Sequence, residues 1–245
     1  MNTPKVSIII PCYNSEKWIS ECVLSALNQT YENIEVICVD NESTDKSFDI
    51  VKDIQKSYPD LITSTAPNIF PHCWDEAREE AFKHVTGKYV TIIGSDDYVD
   101  KDYIKNCMKF ILSAPDKILA FQSSMIGIKS DTNITTGEIS YFYRSIEEFK
   151  KQCLVRCPVN TPTVFYNVEL LKRGLLKTNP EAYGGAADYD LYCKLADNNI
   201  MIYSGPRWLG FYYRWHPEQA TWKVQQEGKG HDRKIQDFWR QKWIL

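Results

Sequence analysis

The chain has 245 residues, 43% of them hydrophobic and 25% charged, which is an ordinary composition for a packed globular protein. Its 29 basic and 32 acidic residues leave a net charge of -3, so no overall positive field is available to hold a nucleic-acid backbone. No stretch approaches the roughly 20 apolar residues that a membrane-spanning helix requires. We therefore expect neither a disordered chain, nor an integral membrane protein, nor a nucleic-acid partner.

The cysteines and the amino terminus predict a compartment. The chain begins without the basic and apolar regions of a secretory signal. Its eight cysteines are scattered and form no Cys-x-x-Cys pair, as is typical of reduced thiols inside a core. A cytoplasmic location is expected.

The first half of the chain alternates short apolar runs with helical patterns. Lys5–Ile10 and Ile34–Val39 have the length and β-branched composition of buried strands, and Tyr89–Ile93 is a further apolar strand. Leu61–Thr65 is a weaker strand pattern between them. Between them lie three helical patterns, the first capped by Asn14 or Ser15, the second by Ser43-Thr44-Asp45, and the third beginning near Asp75. Two-sided apolar strands separated by helices predict an α/β fold with a mostly parallel central sheet.

Past residue 100 the pattern is less regular. Ile118–Ile128 is predicted as a strand and Ser130–Gly137 as a polar loop. A helix is predicted over Asp188–Asn198, followed by strand-like segments at Met201–Tyr203 and Trp208–Trp215. No linker or internal repeat divides the chain, so we expect a single domain over 1–245.

Polar residues follow three of the predicted strands, and ligands bind at the carboxyl ends of strands in such sheets. These residues are Cys12-Tyr13-Asn14, Asp40-Asn41-Glu42 and Ser95-Asp96-Asp97. The Gly-rich phosphate fingerprints of dehydrogenases and P-loop proteins are missing after the first strand. Two adjacent carboxylates beside a buried strand are costly unless they meet water or a cation, and Mg²⁺ or Mn²⁺ suits such oxygen ligands. The alternative is that Ser95-Asp96-Asp97 caps the next helix.

Six segments in register resemble the family 2 glycosyltransferases of the GT-A fold. They are Ser7–Asn14, Ser25–Tyr31, Val39–Asp45, Gly87–Asp97, Asp188–Leu191 and Tyr213–His216. The resemblance implies a Rossmann-like GT-A domain, with a nucleotide-sugar-binding half over 1–100 and an acceptor-binding, catalytic half over 101–230. It also implies an inverting transferase that uses a nucleotide-diphospho-sugar, most often UDP-linked, and a divalent metal, Mn²⁺ or Mg²⁺. The acceptor is then a saccharide or lipid-linked hydroxyl in polysaccharide or glycoconjugate synthesis.

The resemblance assigns the nucleotide pocket to residues at the ends of the first two strands. Pro11 and Tyr13 line the pocket, with the Tyr13 ring packing near the base, and Asp40 serves the nucleoside. Relatives commonly carry a second acid where this chain has Asn41. An amide both donates and accepts hydrogen bonds, so Asn41 does not force a preference for uracil.

The third helix carries a candidate phosphate ligand. Arg78 stands where many relatives have an arginine, and a guanidinium group can bind phosphate through two hydrogen bonds. The alternative is a solvated helix charge beside Glu79 and Glu80.

The resemblance also implies a metal site with one departure. Gly94 occupies the position of the first aspartate in the Asp-x-Asp motif of many relatives. Asp97 is then the predicted metal ligand, and Asp96 lies nearer the ribose or the sugar. His216 matches a histidine that approaches the metal or the diphosphate in some relatives, with a purely structural role as the alternative.

Asp188 is the predicted catalytic base. Relatives carry an acidic pair before Tyr-Asp-Leu, and here the pair is reduced to Ala187-Asp188. One carboxylate suffices, because it takes the proton as the acceptor hydroxyl attacks the anomeric carbon and the diphosphate leaves from the opposite face. The alternative is that Asp188 caps the helix while Asp190 is solvated.

The tail at 231–245 mixes basic and aromatic residues. This composition predicts peripheral contact with the anionic inner face of a membrane, where a lipid-linked acceptor lies. A docked terminal helix is the alternative.

Two other functions stay open from the sequence. The residues at positions 41, 94 and 187 also suit a catalytically silent nucleotide-sugar-binding protein of the same fold. A nucleotidyltransferase shares strand-end acids and a metal, but it needs a Gly-rich, basic loop that this chain lacks after its first strand.

Overall fold

The computed structural model describes residues 3–70, 73–114, 117–222 and 230–243. The described strands are β1 Val6–Cys12, β2 Ile34–Asp40, β3 Ile62–Thr65, β4 Tyr89–Ile92, β5 Tyr98–Val99, β6 Ala120–Lys129, β7 Thr135–Ile139, β8 Val164–Asn167 and β9 Ile202–Trp215. The helices are α1 Ile19–Leu27, α2 Ser47–Ser57, α3 Asp75–Phe82, α4 Tyr103–Ser113, α5 Ile146–Cys153, α6 Val168–Lys172, α7 Pro180–Tyr183, α8 Ala187–Asp197 and, near the end of the chain, α9 His231–Trp243. Short 3₁₀ turns cover Thr161–Thr163 and Gly184–Ala186.

The described strands join one central sheet in the order β3-β2-β1-β4-β8-β6-β9-β5, with β7 beside β6. β3, β2, β1 and β4 run parallel to one another, as the alternation of strands and helices predicts. β8 is antiparallel to both β4 and β6, and β9 is parallel to β6. The predicted α/β fold is confirmed, and the second half of the chain adds antiparallel strands to the same sheet.

The sheet separates two apolar layers. Ile9 of β1 faces a layer that includes residues of α3, α8 and α9. Ile8 and Ile10 face the opposite layer, with residues of α1, α2 and α4. Successive side chains of a strand alternate between faces, so covering both faces requires the continuous apolar runs seen in the sequence.

The first helix begins later than predicted. α1 starts at Ile19, and neither Asn14 nor Ser15 caps it through its side chain. The Asn14 Oδ1 atom accepts a hydrogen bond from the Thr44 N–H at 2.8 Å, and the Ser15 hydroxyl lies 2.7 Å from that of Ser95. Both side chains instead tie together the loops that follow the strands, because those loops lie side by side at the carboxyl edge of the sheet.

The second half differs from the prediction in two strands. Residues 135–139, partly inside the predicted polar loop, form β7 against β6. The two strand-like segments after residue 200 form a single long strand, β9, which pairs with β6 through irregular register shifts. Both strands form because they pair with β6, and this long-range pairing is not visible in the local sequence pattern.

The last described helix docks on the body of the protein. Ile235 and Trp239 are buried, and the Trp239 indole donates to Asp190 at 2.8 Å. The Trp243 indole donates to Asp197 at 3.0 Å. This is the docked helix considered as the alternative for the tail, and membrane contact stays a prediction. Within the described ranges, no helix has the length and apolar character needed to cross a bilayer.

A buried carboxylate holds the amino ends of three neighbouring strands together. Glu35 at the start of β2 accepts hydrogen bonds from the Ser7 hydroxyl at 2.5 Å and the Thr86 N–H at 2.7 Å. It also pairs with Lys5 at 2.6 Å. Burial by itself raises the pKa of Glu35, but these donors outweigh burial and lower the pKa from 4.5 to about 2.

We expect Glu35→Gln to lower the free energy of unfolding at pH 7 by about 3–4 kcal/mol, since the pKa falls from 4.5 to about 2 and each pKa unit corresponds to about 1.4 kcal/mol. A lowered pKa stabilises the fold above the unfolded value and loses that contribution as pH falls through the folded value. The difference between wild type and variant should therefore shrink between pH 4.5 and about 2. Urea unfolding across this pH range measures it, with exposed Glu32→Gln as the control. A difference independent of pH would contradict the assignment.

Candidate active site

Three polar segments meet at the carboxyl edge of the parallel strands. Cys12 of β1 lies beside Asp40 of β2, and Ile9 of β1 lies beside Ile92 of β4. The residues that follow these strands therefore share one edge of the sheet, as the sequence predicts. This edge is where open α/β sheets place their ligands.

The predicted nucleotide residues occupy the side of this edge formed by β1 and β2. Pro11 is buried within β1, whereas the Tyr13 ring is 43% exposed and free to pack against a planar group. Asp40 is buried, and its Oδ2 atom accepts from the Ser43 N–H at 3.0 Å. The other oxygen, Oδ1, is buried without a hydrogen-bond partner in the described part of the chain. An orphaned buried acceptor of this kind suits a ligand that donates an N–H or O–H group.

The side-chain amide nitrogen of Asn41 forms its hydrogen bonds within the protein. Its amide nitrogen donates to the Pro67 carbonyl at 2.7 Å and contacts the Ala66 carbonyl at 3.4 Å. Its backbone N–H donates to the Cys12 carbonyl at 2.7 Å. Contact of Asn41 with the nucleotide stays a prediction, and its amide nitrogen already holds the segment that follows β3.

The histidine and the first acid of the predicted metal motif face each other. The His216 Nε2 atom lies 2.9 Å from Asp96 Oδ2. The imidazole ring also packs on the Trp18 ring, with 3.9 Å between centroids. Two potential ligands therefore converge from segments 120 residues apart in sequence.

Asp97 lies deeper than Asp96, with 1% of its surface exposed. Its Oδ1 atom accepts from the backbone N–H of Arg214 at 2.9 Å. Burial raises the pKa of Asp97 well above its ordinary value, and the charge of Asp96 raises it further. Ser95-Asp96-Asp97 does not cap the next helix, because β5 lies between them and the N-cap of α4 is Asp102, with no side-chain hydrogen bond to the helix there.

The carboxylates of Asp96 and Asp97 both lie next to Gly94. A Cβ atom on Gly94 would lie 2.9 Å from Asp96 Oδ1 and 3.0 Å from Asp97 Oδ2. Both groups thus border a cradle that a larger residue would fill. Within the described ranges, no three His, Cys, Asp or Glu side chains converge as a metal site. The residues fit a cation bound by few protein ligands and completed by substrate phosphates, which is the usual arrangement for Mg²⁺.

Arg214 ties this site to the first helix. Its Nε atom donates to the Asp96 carbonyl at 2.7 Å, and Nη2 pairs with Glu21 at 2.6 Å. The guanidinium group lies over the Tyr98 ring, 5.0 Å from its centroid. The arrangement locks the backbone around Asp96 and Asp97 against α1 and β9.

Asp188 and Arg78 line one narrow cavity on the face of the sheet that α3 and α8 cover. Arg78 is 5% exposed, so the alternative of a solvated helix charge is wrong. Its Nη2 atom pairs with Asp75 at 2.9 Å and donates to the Thr178 hydroxyl at 2.5 Å, while Nε is buried without a partner in the described part of the chain. The structure therefore places Arg78 beside the predicted base.

Asp188 sits in the first turn of α8, where both of its oxygens accept hydrogen bonds. The Thr161 hydroxyl donates to Oδ2 at 2.6 Å, and the Tyr189 N–H donates to Oδ1 at 2.8 Å. Burial raises the pKa of Asp188, and these two donors act in the opposite direction. Asp190 is not solvated, as the alternative required, but buried against Trp239.

Some residues of this site escape prediction from the sequence. Thr161, Asp75 and Glu21 carry no local motif and reach the site only through folding. Arg214 lies inside the segment Tyr213–His216 that carries the family resemblance. The resemblance therefore points to this position, but the spacing of residues in the sequence does not predict the hydrogen-bond partners of Arg214.

The fold and these strand-end residues define an α/β protein with a polar, acidic site at the carboxyl edge of its sheet. Residues 7–174 match the sequence model of the family described as Glycosyl transferase family 2. The chain belongs to this family.

Individual relatives agree with this membership. A dolichyl N-acetyl-alpha-D-glucosaminyl phosphate 3-beta-D-2,3-diacetamido-2,3-dideoxy-beta-D-glucuronosyltransferase of Methanococcus voltae is 33% identical over an alignment of 227 positions that covers 85% of this chain and 66% of the relative. For three other curated relatives the match spans 15–44% of their own length. The chain therefore spans less than half of those proteins.

Solved structures share the fold. S. aureus TarS 1-349 in complex with UDP-GlcNAc superposes with a TM-score of 0.71 at 24% identity, covering 89% of this chain and 60% of that one. The mannosyltransferase PcManGT from Pyrobaculum calidifontis, in complex with GDP-Man and Mn²⁺, gives a TM-score of 0.64 at 19% identity, covering 95% of this chain and 64% of that one. The GT-A fold predicted from the sequence is confirmed.

Proposed function

We propose that this chain is an inverting glycosyltransferase that moves a sugar from a nucleotide-diphospho-sugar, of which UDP-sugar is the first candidate, to a hydroxyl group. The acceptor is a saccharide or a lipid-linked saccharide, in polysaccharide or glycoconjugate synthesis. The observation that carries the proposal is a set of polar side chains: Asp40 and Asp96 at the carboxyl edge of the sheet, His216 facing Asp96, and Asp188 in a cavity beside Ile92 at the end of β4. The similar solved structures are complexes with UDP-GlcNAc and with GDP-Man and Mn²⁺, which supports the choice of donor and cofactor.

On the donor side, the proposal uses groups whose hydrogen-bonding capacity is incomplete. Tyr13 offers an exposed ring to the base, and Asp40 Oδ1 offers a buried acceptor to a donor group of the nucleoside. Pro11 lies in β1, and Asn41 holds the segment after β3, whose Ala66 N–H donates to the Asp40 carbonyl at 2.8 Å. Selectivity for the base then depends on Asp40 more than on Asn41.

We propose Asp96 and His216 as the residues that hold Mn²⁺ or Mg²⁺, because these two side chains face each other. Such an ion supplies positive charge that stabilises the departing diphosphate. Asp97, the ligand predicted from the sequence, is buried against the Arg214 backbone and supports the position of its neighbour. The buried Arg78 guanidinium contributes positive charge beside Asp188.

On the acceptor side, Asp188 accepts the proton of the attacking hydroxyl. A sugar hydroxyl has a high pKa, so the proton moves as the new bond to the anomeric carbon forms. Burial raises the pKa of Asp188, which strengthens it as a base as long as it remains ionised at the working pH. Attack opposite the leaving diphosphate inverts the anomeric centre.

The experiment is a thermal-shift panel of UDP, GDP, CDP and dTDP with their common sugar conjugates, each with and without Mn²⁺. A ligand that binds only the folded state raises the midpoint of unfolding, by an amount set by its concentration relative to its Kd. We expect one nucleotide diphosphate to give a Mn²⁺-dependent shift of a few degrees.

Assays of sugar transfer, donor hydrolysis and pyrophosphate release decide between the alternative functions. Binding without transfer or donor hydrolysis would favour the silent nucleotide-sugar-binding protein. Release of pyrophosphate from a nucleoside triphosphate would indicate a nucleotidyltransferase. No shift with any ligand, from a folded protein, would contradict the proposal.

A further inference from the structure

The turn that precedes β8 is anchored rigidly in the protein. Asn160 is buried, and its side-chain nitrogen donates to the Ser123 carbonyl at 3.2 Å and the Ile139 carbonyl at 3.0 Å. Its backbone N–H donates to the Gln122 side chain at 3.0 Å. Through these bonds β6 and β7 determine the position of the next residue, Thr161.

Thr161 and Thr163 lie in the same 3₁₀ turn but have different partners. The Thr163 hydroxyl donates to the Ser123 carbonyl at 2.9 Å and the Asn160 carbonyl at 2.8 Å, so it serves the turn itself. The Thr161 hydroxyl instead donates to Asp188 Oδ2 at 2.6 Å, across 27 residues of sequence. A hydrogen bond to an ionised group is stronger than one between neutral groups.

We propose that Thr161 is the positioning residue of the catalytic base, which holds the Asp188 carboxylate in the single orientation that receives the acceptor proton. This inference rests on the proposed function of Asp188. The second oxygen of Asp188 is bonded to the Tyr189 N–H at the start of α8, so the two donors together define the plane of the carboxylate. The hydrogen bonds of Asn160 to β6 and β7 hold Thr161 in place, and Thr161 in turn holds the Asp188 carboxylate.

The charge environment of Asp188 predicts the effect of removing the hydroxyl. Burial raises the pKa of Asp188, Thr161 and the Tyr189 N–H lower it, Asp75 raises it and Arg78 lowers it. Other titratable groups near Asp188 are Cys73, Cys157, Tyr166, Tyr192 and Tyr213; burial raises their pKa values, and the charge of Asp188 adds to that increase. Loss of the Thr161 hydroxyl removes one of the two donors that favour the charged form. The pKa of Asp188 should therefore rise.

The test compares Thr161→Val, Thr161→Ser and the matched control Thr163→Val, which removes a hydroxyl from the same turn. The carboxyl ¹³C shift of Asp188, assigned by its disappearance in Asp188→Asn, is followed against pH without substrate. Thr161→Val should move the midpoint upward by about one pH unit, the size expected for a hydrogen bond to a charged group. Thr161→Ser should keep the titration midpoint of Asp188 at its wild-type value, because serine retains the hydroxyl. Thr163→Val should lower the stability of the fold without moving this midpoint.

The rate of UDP release from UDP-glucose and UDP-N-acetylglucosamine supplies the second measurement. In Thr161→Val the acidic limb of the kcat profile should move in the same direction, with the KM of the donor unchanged. An unmoved ¹³C midpoint in Thr161→Val, or an equal movement in Thr163→Val, would overturn the inference. If Asp188→Asn retains full release, the proposed role of Asp188 fails instead, whatever the titration shows.

Discussion

Replacement of Asp188 by asparagine is expected to lower the rate of sugar transfer by about 10²–10⁴-fold, the usual contribution of a general base. An amide has nearly the same shape as the carboxylate but accepts no proton at neutral pH. Because the proposed function assigns donor binding to Tyr13 and Asp40 and proton transfer to Asp188, affinity for the donor should stay within about twofold of wild type. Transfer is followed as nucleoside diphosphate release, and donor affinity by isothermal titration calorimetry.

The control for this variant is Glu181→Gln, which neutralises an exposed carboxylate in α7, close in sequence to α8. It should leave both the rate and the affinity unchanged. Full activity in Asp188→Asn would exclude Asp188 as the base. An equal loss of donor affinity and rate would place Asp188 in the donor site instead.

Asp96→Asn is expected to remove most of the Mn²⁺-dependent gain in nucleotide diphosphate affinity, by about 10–100-fold, since even indirect partners of a metal contribute this much. The substitution keeps the volume of the side chain and removes the negative charge that faces His216 at 2.9 Å. Affinity measured with EDTA in place of Mn²⁺ should change little. Titration calorimetry with UDP, or with the diphosphate that the thermal-shift panel selects, measures both values.

Asp97→Asn separates the two carboxylates. Its side chain is buried and bonded to the Arg214 backbone, so we expect a loss of stability with a smaller effect on Mn²⁺-dependent affinity. The exposed loop residue Asp131, changed to asparagine, is the control for charge alone. If Asp97→Asn abolishes the Mn²⁺ effect and Asp96→Asn does not, the ligand predicted from the sequence is correct and our assignment of Asp96 is wrong.

Prediction from the sequence works best where the local pattern and the fold agree. The four parallel strands and their helices appear where apolar runs and helical spacing predict them. The pattern is clearest for β1, β2 and β4, which are buried on both faces, and weakest for β3, which is partly exposed at the edge of the sheet. The pattern fails at Asn14, whose residue type favours a helix cap but whose side chain bonds Thr44. It also fails at Thr135–Ile139, a polar segment that becomes a strand only because β6 offers its edge.

The candidate site shows the same division. Tyr13, Asp40, Asp96 and Asp188 are identifiable because each follows a strand or begins a helix within a segment that resembles the family. Arg78 is identifiable as a position but not by its surroundings, since burial beside Asp75 and Asp188 depends on how α3 and α8 pack. Thr161 carries no signal at all.

The sequence by itself determined the α/β class, the edge of the sheet at which polar groups gather, and the family. These properties follow from periodicity and from short motifs, which involve residues close together in the chain. The tertiary structure alone decided that His216 meets Asp96, that Arg214 holds Asp97, and that Thr161 meets Asp188. Such pairs join segments far apart in sequence, and only packing of the sheet against its helices brings their atoms within hydrogen-bond distance.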